Sequence, residues 1–274
     1  MTAVALQASD WRPAGAWRVA KPQVRNVVRS KWLAYYFGFF ALVTEGLIRF
    51  TGGDARTLLS LANLVLFVVP LVTVVYGTIY LYNSREFIEL LLAQPLKRRT
   101  LFGGLYVGLA VPLIAALVAG IMLPFIVHGL PPEQRMPLTS MLVGAAALIA
   151  VFTGIAFCIA LRFEDRLTGL GAGMAIWLLM AFVYDGLLLM AVALLSDHSI
   201  ERSLLAASLA NPIDLVRIAL LLQFDVSALM GYTGAVFRHF FSYAGGEAVI
   251  AIALSAWVAV PLGWGFVAFN RKDF

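Results

Sequence analysis

Six long apolar runs punctuate the chain, at about Trp32 to Phe50, Leu58 to Leu81, Leu101 to Val127, Leu138 to Leu161, Leu167 to Leu195 and Ala248 to Phe269. Each approaches or exceeds the roughly 20 residues a helix needs to cross a hydrocarbon core about 30 Å thick. Backbone polar groups cannot reach water inside hydrocarbon, so the runs predict six transmembrane helices and an all-α polytopic membrane protein. Two shorter amphipathic patterns interrupt them. Val24, Val27, Val28 and Trp32 recur at helical spacing with Arg25, Arg29 and Lys31 between them. They predict an elbow helix lying on the membrane surface, with Pro22 at its start and a mobile, irregular stretch from Met1 to Lys21 before it. A basic flank with no role of its own is the competing reading.

The second pattern lies between the second and third runs, from Tyr82 to Arg99. Asn83 can cap a helix with Glu86 three residues on, and Pro95 with Lys97, Arg98 and Arg99 marks its end, so roughly three turns are predicted. Phe87, Leu90 and Leu91 are expected to pack on the bundle, leaving Arg85, Glu86 and Glu89 outward. Two adjacent spans need only a few connecting residues, so a capped helix here calls for a partner or a membrane surface. Anchoring of Lys97, Arg98 and Arg99 to lipid phosphates is the plainer alternative.

The Ser196 to Gly246 stretch is the longest connection and is apolar where a free loop is polar. Asn211-Pro212-Ile213-Asp214 is a helix start, with a cap, a proline at the first position and an acid near the positive end of the dipole. Leu215, Val216, Ile218, Ala219 and Leu222 give that helix a broad apolar face, and Asp225 can cap a second one. The pattern predicts a helical cap lying on the outer surface of the bundle, which either packs on its own spans or docks a partner. The chain thus divides into residues 1–31, an N-terminal segment with the elbow, and residues 32–274, a six-span domain with a connector helix at 83–100 and a cap at 196–246.

Composition agrees, with 62% apolar and 13% charged residues. Of the 20 basic residues, only Arg49, Arg56, Arg135, Arg202, Arg217 and Arg238 fall in alternate loops. The rest share the side of the N-terminus, which the positive-inside rule makes cytoplasmic. Both termini are then cytoplasmic, and the first thirty residues lack the pattern of a cleaved signal peptide. The basic charges are split among several loops and form no nucleic-acid patch.

Candidate chemistry is sparse. Cys158 is the one cysteine and reads as a packed thiol. His128, His198 and His239 share no ligand spacing, so no metal site is assigned. Glu45, Asp185 and Glu247 lie in or beside the outer halves of spans, where ionisable groups are costly; Glu45 with Arg49 has the spacing of a local pair. No GxxxxGK[ST] loop, nucleophile elbow or HExxH occurs, so neither ATP binding nor catalysis is expected of this chain.

Ser84-Arg85-Glu86 through Glu89-Leu90-Leu91-Leu92-Ala93-Gln94-Pro95-Leu96, set between two spans, resembles the coupling-helix region of type 2 ABC transporter permeases. Six spans, an N-terminal elbow and the terminal Phe269-Asn270-Arg271-Lys272-Asp273-Phe274 are similar to that family too. Asn211 to Arg217 together with Asp225 to Phe237 resembles the branch that serves nitrous oxide reductase maturation. The resemblance runs from about Lys31 onward, and residues before about Pro22 carry no matching motif.

That resemblance implies a homodimer in the bacterial inner membrane, bound to two copies of a cytoplasmic ABC ATPase (NosF-like) that carries ATP and Mg. It also implies a periplasmic copper-handling partner (NosD-like) that carries the copper, with no cofactor in this chain. By position, Ser84, Arg85, Glu86, Phe87, Glu89, Leu90, Gln94 and Pro95 would contact the ATPase. Asn211, Asp214, Arg217, Asp225, Tyr232 and Phe237 would contact the periplasmic partner. ATP-driven closure would pass through the spans as levers, with membrane lipid around them. Export of a small cargo such as a sulfur species through the dimer interface is one alternative. A membrane scaffold or sensor without transport is another, and few polar residues beyond Asn63, Thr73, Thr78, Thr153 and Asp185 line the spans to favour a conduit.

Overall fold

Lys31–Thr51, Ala55–Asn83, Arg98–His128 and Arg135–Arg162 form four of the six long helices that the apolar runs predict. The fifth joins Arg166–Leu178, a wide π turn at Leu179–Val183 and Tyr184–Leu194, and the sixth is Gly246–Arg271. All six are long and apolar enough to cross a membrane. The computed structural model describes residues 13–53, 55–93, 97–194, 207–223 and 246–272, and every regular element among them is helical.

The fourth span is the centre of the molecule, with 61% of its membrane window buried against 11% for the fifth. Small residues let its neighbours approach, as is general for helices in lipid. A Cβ on Gly77 of the second span would come within 2.9 Å of Ala156, and one on Gly154 within 3.0 Å of Pro261 in the sixth. Phe152 and Phe157 of this span are fully buried, and the Phe157 ring meets Tyr80, Phe102 and Tyr106.

Hydrogen bonds define the two ends of the bundle. At one end Gly52 and Gly53, both at φ 78°, turn the first span into the second, and Gln134 Nε2 donates to Gly53 O at 2.8 Å. This is the far end. At the opposite, basic end lie the short helix Arg85–Leu92, the 162–166 turn and the end of the sixth span.

Four expectations are corrected. Pro22 lies inside the N-terminal helix Pro13–Val28 rather than at its start, and the stretch from Pro13 to Lys21 is helical rather than irregular. Tertiary packing outweighs the proline: Ala20, Gln23 and Val27 share one buried face along the third span. Gln23 Cβ sits where a side chain on Gly108 would be, and Tyr80 donates to Gln23 Oε1 at 2.9 Å. Asn83 does not cap the short helix, because the second span runs through it; Ser84 is the junction, and its hydroxyl donates back to Tyr80 O at 2.8 Å. The short helix has eight residues, about two turns, and Lys97 stands just before the third span, with no side-chain capping bond, instead of closing the short helix.

Of the expected outer cap, the described part packs on the spans of the same chain. Within it, Pro212–Gln223 is inserted between spans rather than laid across them. Its preceding turn reaches Met180, some 14 residues or roughly 21 Å along the fifth span from Arg166. Ile213, Leu215, Val216 and Leu220 are buried, so the helix is apolar on several sides, and its Asp214 and Arg217 pair with each other and with Asp185. The rest of the cap, with Asp225, Tyr232 and Phe237, lies outside the described residues, as do Gln94 and Pro95.

Candidate functional site

The short helix is held to the bundle by one apolar anchor and one cation. Ile88 is fully buried, with Leu91 and Leu92 packed beside it. Residues three and four positions back share that face, so Arg85 and Ser84 turn inward with it. This reverses two expectations: Arg85 is half-buried rather than outward, and Leu90, expected to pack inward, is 69% exposed. Phe87 is half-buried, and Glu86 and Glu89 are exposed as expected. A ridge of Glu86, Glu89 and Leu90 therefore faces away from the protein, while Ser84 is buried behind it.

Arg85 closes the open end of the fourth span. Its guanidinium donates to the carbonyls of Ala160, Phe163 and Glu164 at 3.2 to 3.3 Å, in the position of a cation at a helix C-terminus. It also stacks over the Tyr82 ring at 4.5 Å. Tyr82 donates to Phe163 O at 2.8 Å and Asp165 O at 3.2 Å, and Arg166 reaches Asn83 Oδ1 at 3.5 Å. The 162–166 turn is thus fastened to the short helix and to Tyr82 just before it.

Asp165 caps the fifth span. Its carboxylate accepts from the Thr168 amide at 2.8 Å and hydroxyl at 2.7 Å, and these bonds hold its pKa below the usual carboxylate range. Arg98 gathers the base from the other side, donating to the carbonyls of Phe269, Asn270 and Lys272. Lys272 donates to Leu161 O at 2.9 Å.

At the far end the inserted helix is seated by polar groups. Asn211 Oδ1 accepts from the Ile213 amide at 3.0 Å, as expected of a cap, while Asn211 Nδ2 donates to Met180 O at 2.8 Å and to Asp214 at 3.1 Å. Arg217 donates to Asp185 at 2.5 Å and Asp214 at 2.9 Å. Asn211 is 1% and Asp214 5% exposed. These side chains, read from sequence as partner contacts, hold the helix in place within the described residues. Trp257 supports the same turn by donating to Leu209 O at 3.1 Å.

Neither intramembrane acid is free. Glu45 accepts from Arg49 Nε at 2.6 Å, the expected local pair, and its oxygens also lie 2.9 and 3.0 Å from His128 Nε2. Asp185 is matched by Arg217, a partner 32 residues away that no local spacing could disclose. Among the described residues no three His, Cys, Asp or Glu side chains group as metal ligands. An apolar pocket lies between spans, walled by Trp32, Tyr36, Val75, Tyr76 and Leu113.

Sequence reading missed the Tyr82 hydroxyl and the Met180 carbonyl as fastening groups. Only the Asp165 and Thr168 spacing, a helix-start signal, could have pointed to this network.

Comparison with known proteins sharpens the picture. Residues 67–274 match the family described as ABC-2 family transporter protein. The chain is 25% identical over 273 residues to the probable ABC transporter permease protein NosY of Pseudomonas aeruginosa, covering 93% of this chain and 98% of that protein. It is 26% identical over 280 residues to the protein of the same name from Stutzerimonas stutzeri, with the same coverage.

Proposed function

The chain belongs to the ABC-2 transporter family as a multi-pass, NosY-like permease subunit, and from that premise we propose that its Arg85–Leu92 helix is the coupling helix of an ABC complex. A separate cytoplasmic ATPase, binding ATP and Mg, grips the ridge of Glu86, Glu89 and Leu90. The observation that carries this reading is the pairing of an outward acidic and apolar ridge with an inward weld through Ile88, Arg85 and Tyr82. A surface helix that met only lipid headgroups would not present two acids to them.

In this arrangement the basic end faces the cytoplasm of a bacterial inner membrane, in keeping with its Arg and Lys content. Two copies of the chain form the dimer that two ATPase subunits span. The far end meets a periplasmic copper-handling protein, and the complex serves copper-site maturation of nitrous oxide reductase. Asp225, Tyr232 and Phe237 belong to the surface that partner would use, and Asn211, Asp214 and Arg217 position the inserted helix beneath it. Paired charges at Glu45 and Asp185 and few other polar groups favour levers over a polar conduit.

Glu86→Lys with Glu89→Lys tests the assignment. Co-purification from membranes in mild detergent should lose the ATPase while the variant stays in the membrane fraction. Retention of the ATPase at the level seen without the changes would sink the coupling-helix reading.

A further inference from the structure

The fifth span touches the rest of the chain mainly along one side, yet it is fastened at its basic end and again beyond its midpoint. Along that side it rides on the second span. A Cβ on Gly169 would come within 2.2 Å of the Tyr82 hydroxyl, and one on Gly173 within 3.3 Å of Val74. Trp177 donates to Phe67 O at 3.1 Å, and the Phe67 and Phe182 rings stack 5.0 Å apart. At the basic end, Tyr82 and Arg85 hold the carbonyls from Ala160 to Asp165 that lead into the fifth span. At and just past its midpoint, Met180 O accepts from Asn211 and Asp185 accepts from Arg217.

We propose that the second and fifth spans form one paired strut that carries displacement of the short Arg85–Leu92 helix to the inserted Pro212–Gln223 helix, with Tyr82 and Arg85 as its lower positioning residues and Asn211 and Arg217 as its upper ones. This rests on the coupling-helix reading above. The strut works because its fasteners are directional. Guanidinium and phenol hydroxyl donors engage helix-end carbonyls at fixed angles, so the short helix cannot shift without carrying the 162–166 turn. The wide turn at Leu179–Val183 interrupts regular helix bonding where the Met180 carbonyl is taken by Asn211, as such turns do at functional positions.

The test uses the complex purified with its ATPase and reads amide hydrogen exchange over Pro212–Gln223, nucleotide-free and with MgATP plus vanadate. The unaltered complex should show a nucleotide-dependent difference there. Arg85→Ala should abolish that difference with the ATPase still co-purifying. Tyr82→Phe, which keeps the ring and removes only one hydroxyl, should reduce it while nucleotide-free exchange stays unchanged, an outcome that a merely structural role would not give. Tyr82→Phe also decides the matter if Arg85→Ala fails to fold. Arg85→Lys, a point charge without the planar fork, should restore only part of the difference. A difference of undiminished size in Arg85→Ala or Tyr82→Phe overturns the strut while leaving the coupling helix standing, and so does its absence in the unaltered complex when the ATPase is bound. Retention of the ATPase by Glu86→Lys with Glu89→Lys would instead count against the parent reading.

Discussion

Gly144→Ala is the sharpest probe of how the inserted helix is seated. A Cβ at Gly144 would stand 2.5 Å from Val216 Cγ1, against the roughly 3.5 to 4.0 Å at which carbon atoms make favourable contact. Val216 cannot easily give way. It is 1% exposed, and a β-branched side chain in a helix has essentially one χ1 rotamer. Overpacking of this kind costs about 1 to 3 kcal/mol. The strain belongs to the pair, so Val216→Ala removes the atom that clashes. The double variant should therefore be more stable than Gly144→Ala alone, although Val216→Ala by itself loses packing. The assay is the fraction of detergent-solubilised protein that stays monodisperse on size exclusion after graded heating, for the parent, both single variants and the double variant. The sign of the coupling decides, because a double-mutant cycle isolates the pairwise term. If Gly144→Ala matches the parent, or Val216→Ala fails to improve it, the inserted helix does not lie against the fourth span as described.

Other expectations follow from the same geometry. Tyr80→Phe leaves the buried Gln23 amide without its partner, which should cost about 1 to 3 kcal/mol and free the N-terminal helix, seen as faster trypsin cleavage at Lys21 and Arg25. Because the Asp165 pKa is depressed in the fold, its contribution is present above the ordinary carboxylate range and is lost as pH falls through its lowered value. Asp165→Ala should therefore narrow the stability gap to the parent only at strongly acid pH, measured by thermal unfolding across a pH series; a gap that stays constant down through that range would contradict the capping role. Removing the far-end clasp by Glu45→Gln should loosen the first span from the third, raising hydrogen exchange around His128 without altering ATPase retention.

The spans were legible because hydrocarbon thickness imposes one length on them, and the Leu58 to Leu81 run indeed lies inside Ala55–Asn83. Rotations were not. The short helix carries apolar residues on several sides, and which one is buried depends on Ile88 finding a pocket made by distant residues. Arg85 reads as an exposed charge until the carbonyls of residues 160 to 164 are placed beside it. Asn211 and Asp214 gave a correct helix start and a wrong depth. Polar caps ordinarily signal water, but here Met180, Asp185 and Arg217 supply the hydrogen bonds that water would have made. Pro22 misled for a related reason, since docking of Gln23 and Val27 on the third span sustains a helix that local propensity would have begun later.

Arg98 has a bearing on how the protein is made. Its acceptors lie 171 to 174 residues downstream, so at synthesis rates of about 5 to 20 residues per second the guanidinium waits roughly 10 to 35 s for them. During that interval the lower rim of the nascent bundle stays unlaced, and the arriving sixth segment acts as the drawstring. Until then water can hydrate the charge, and the rim closes only after the last span has been made.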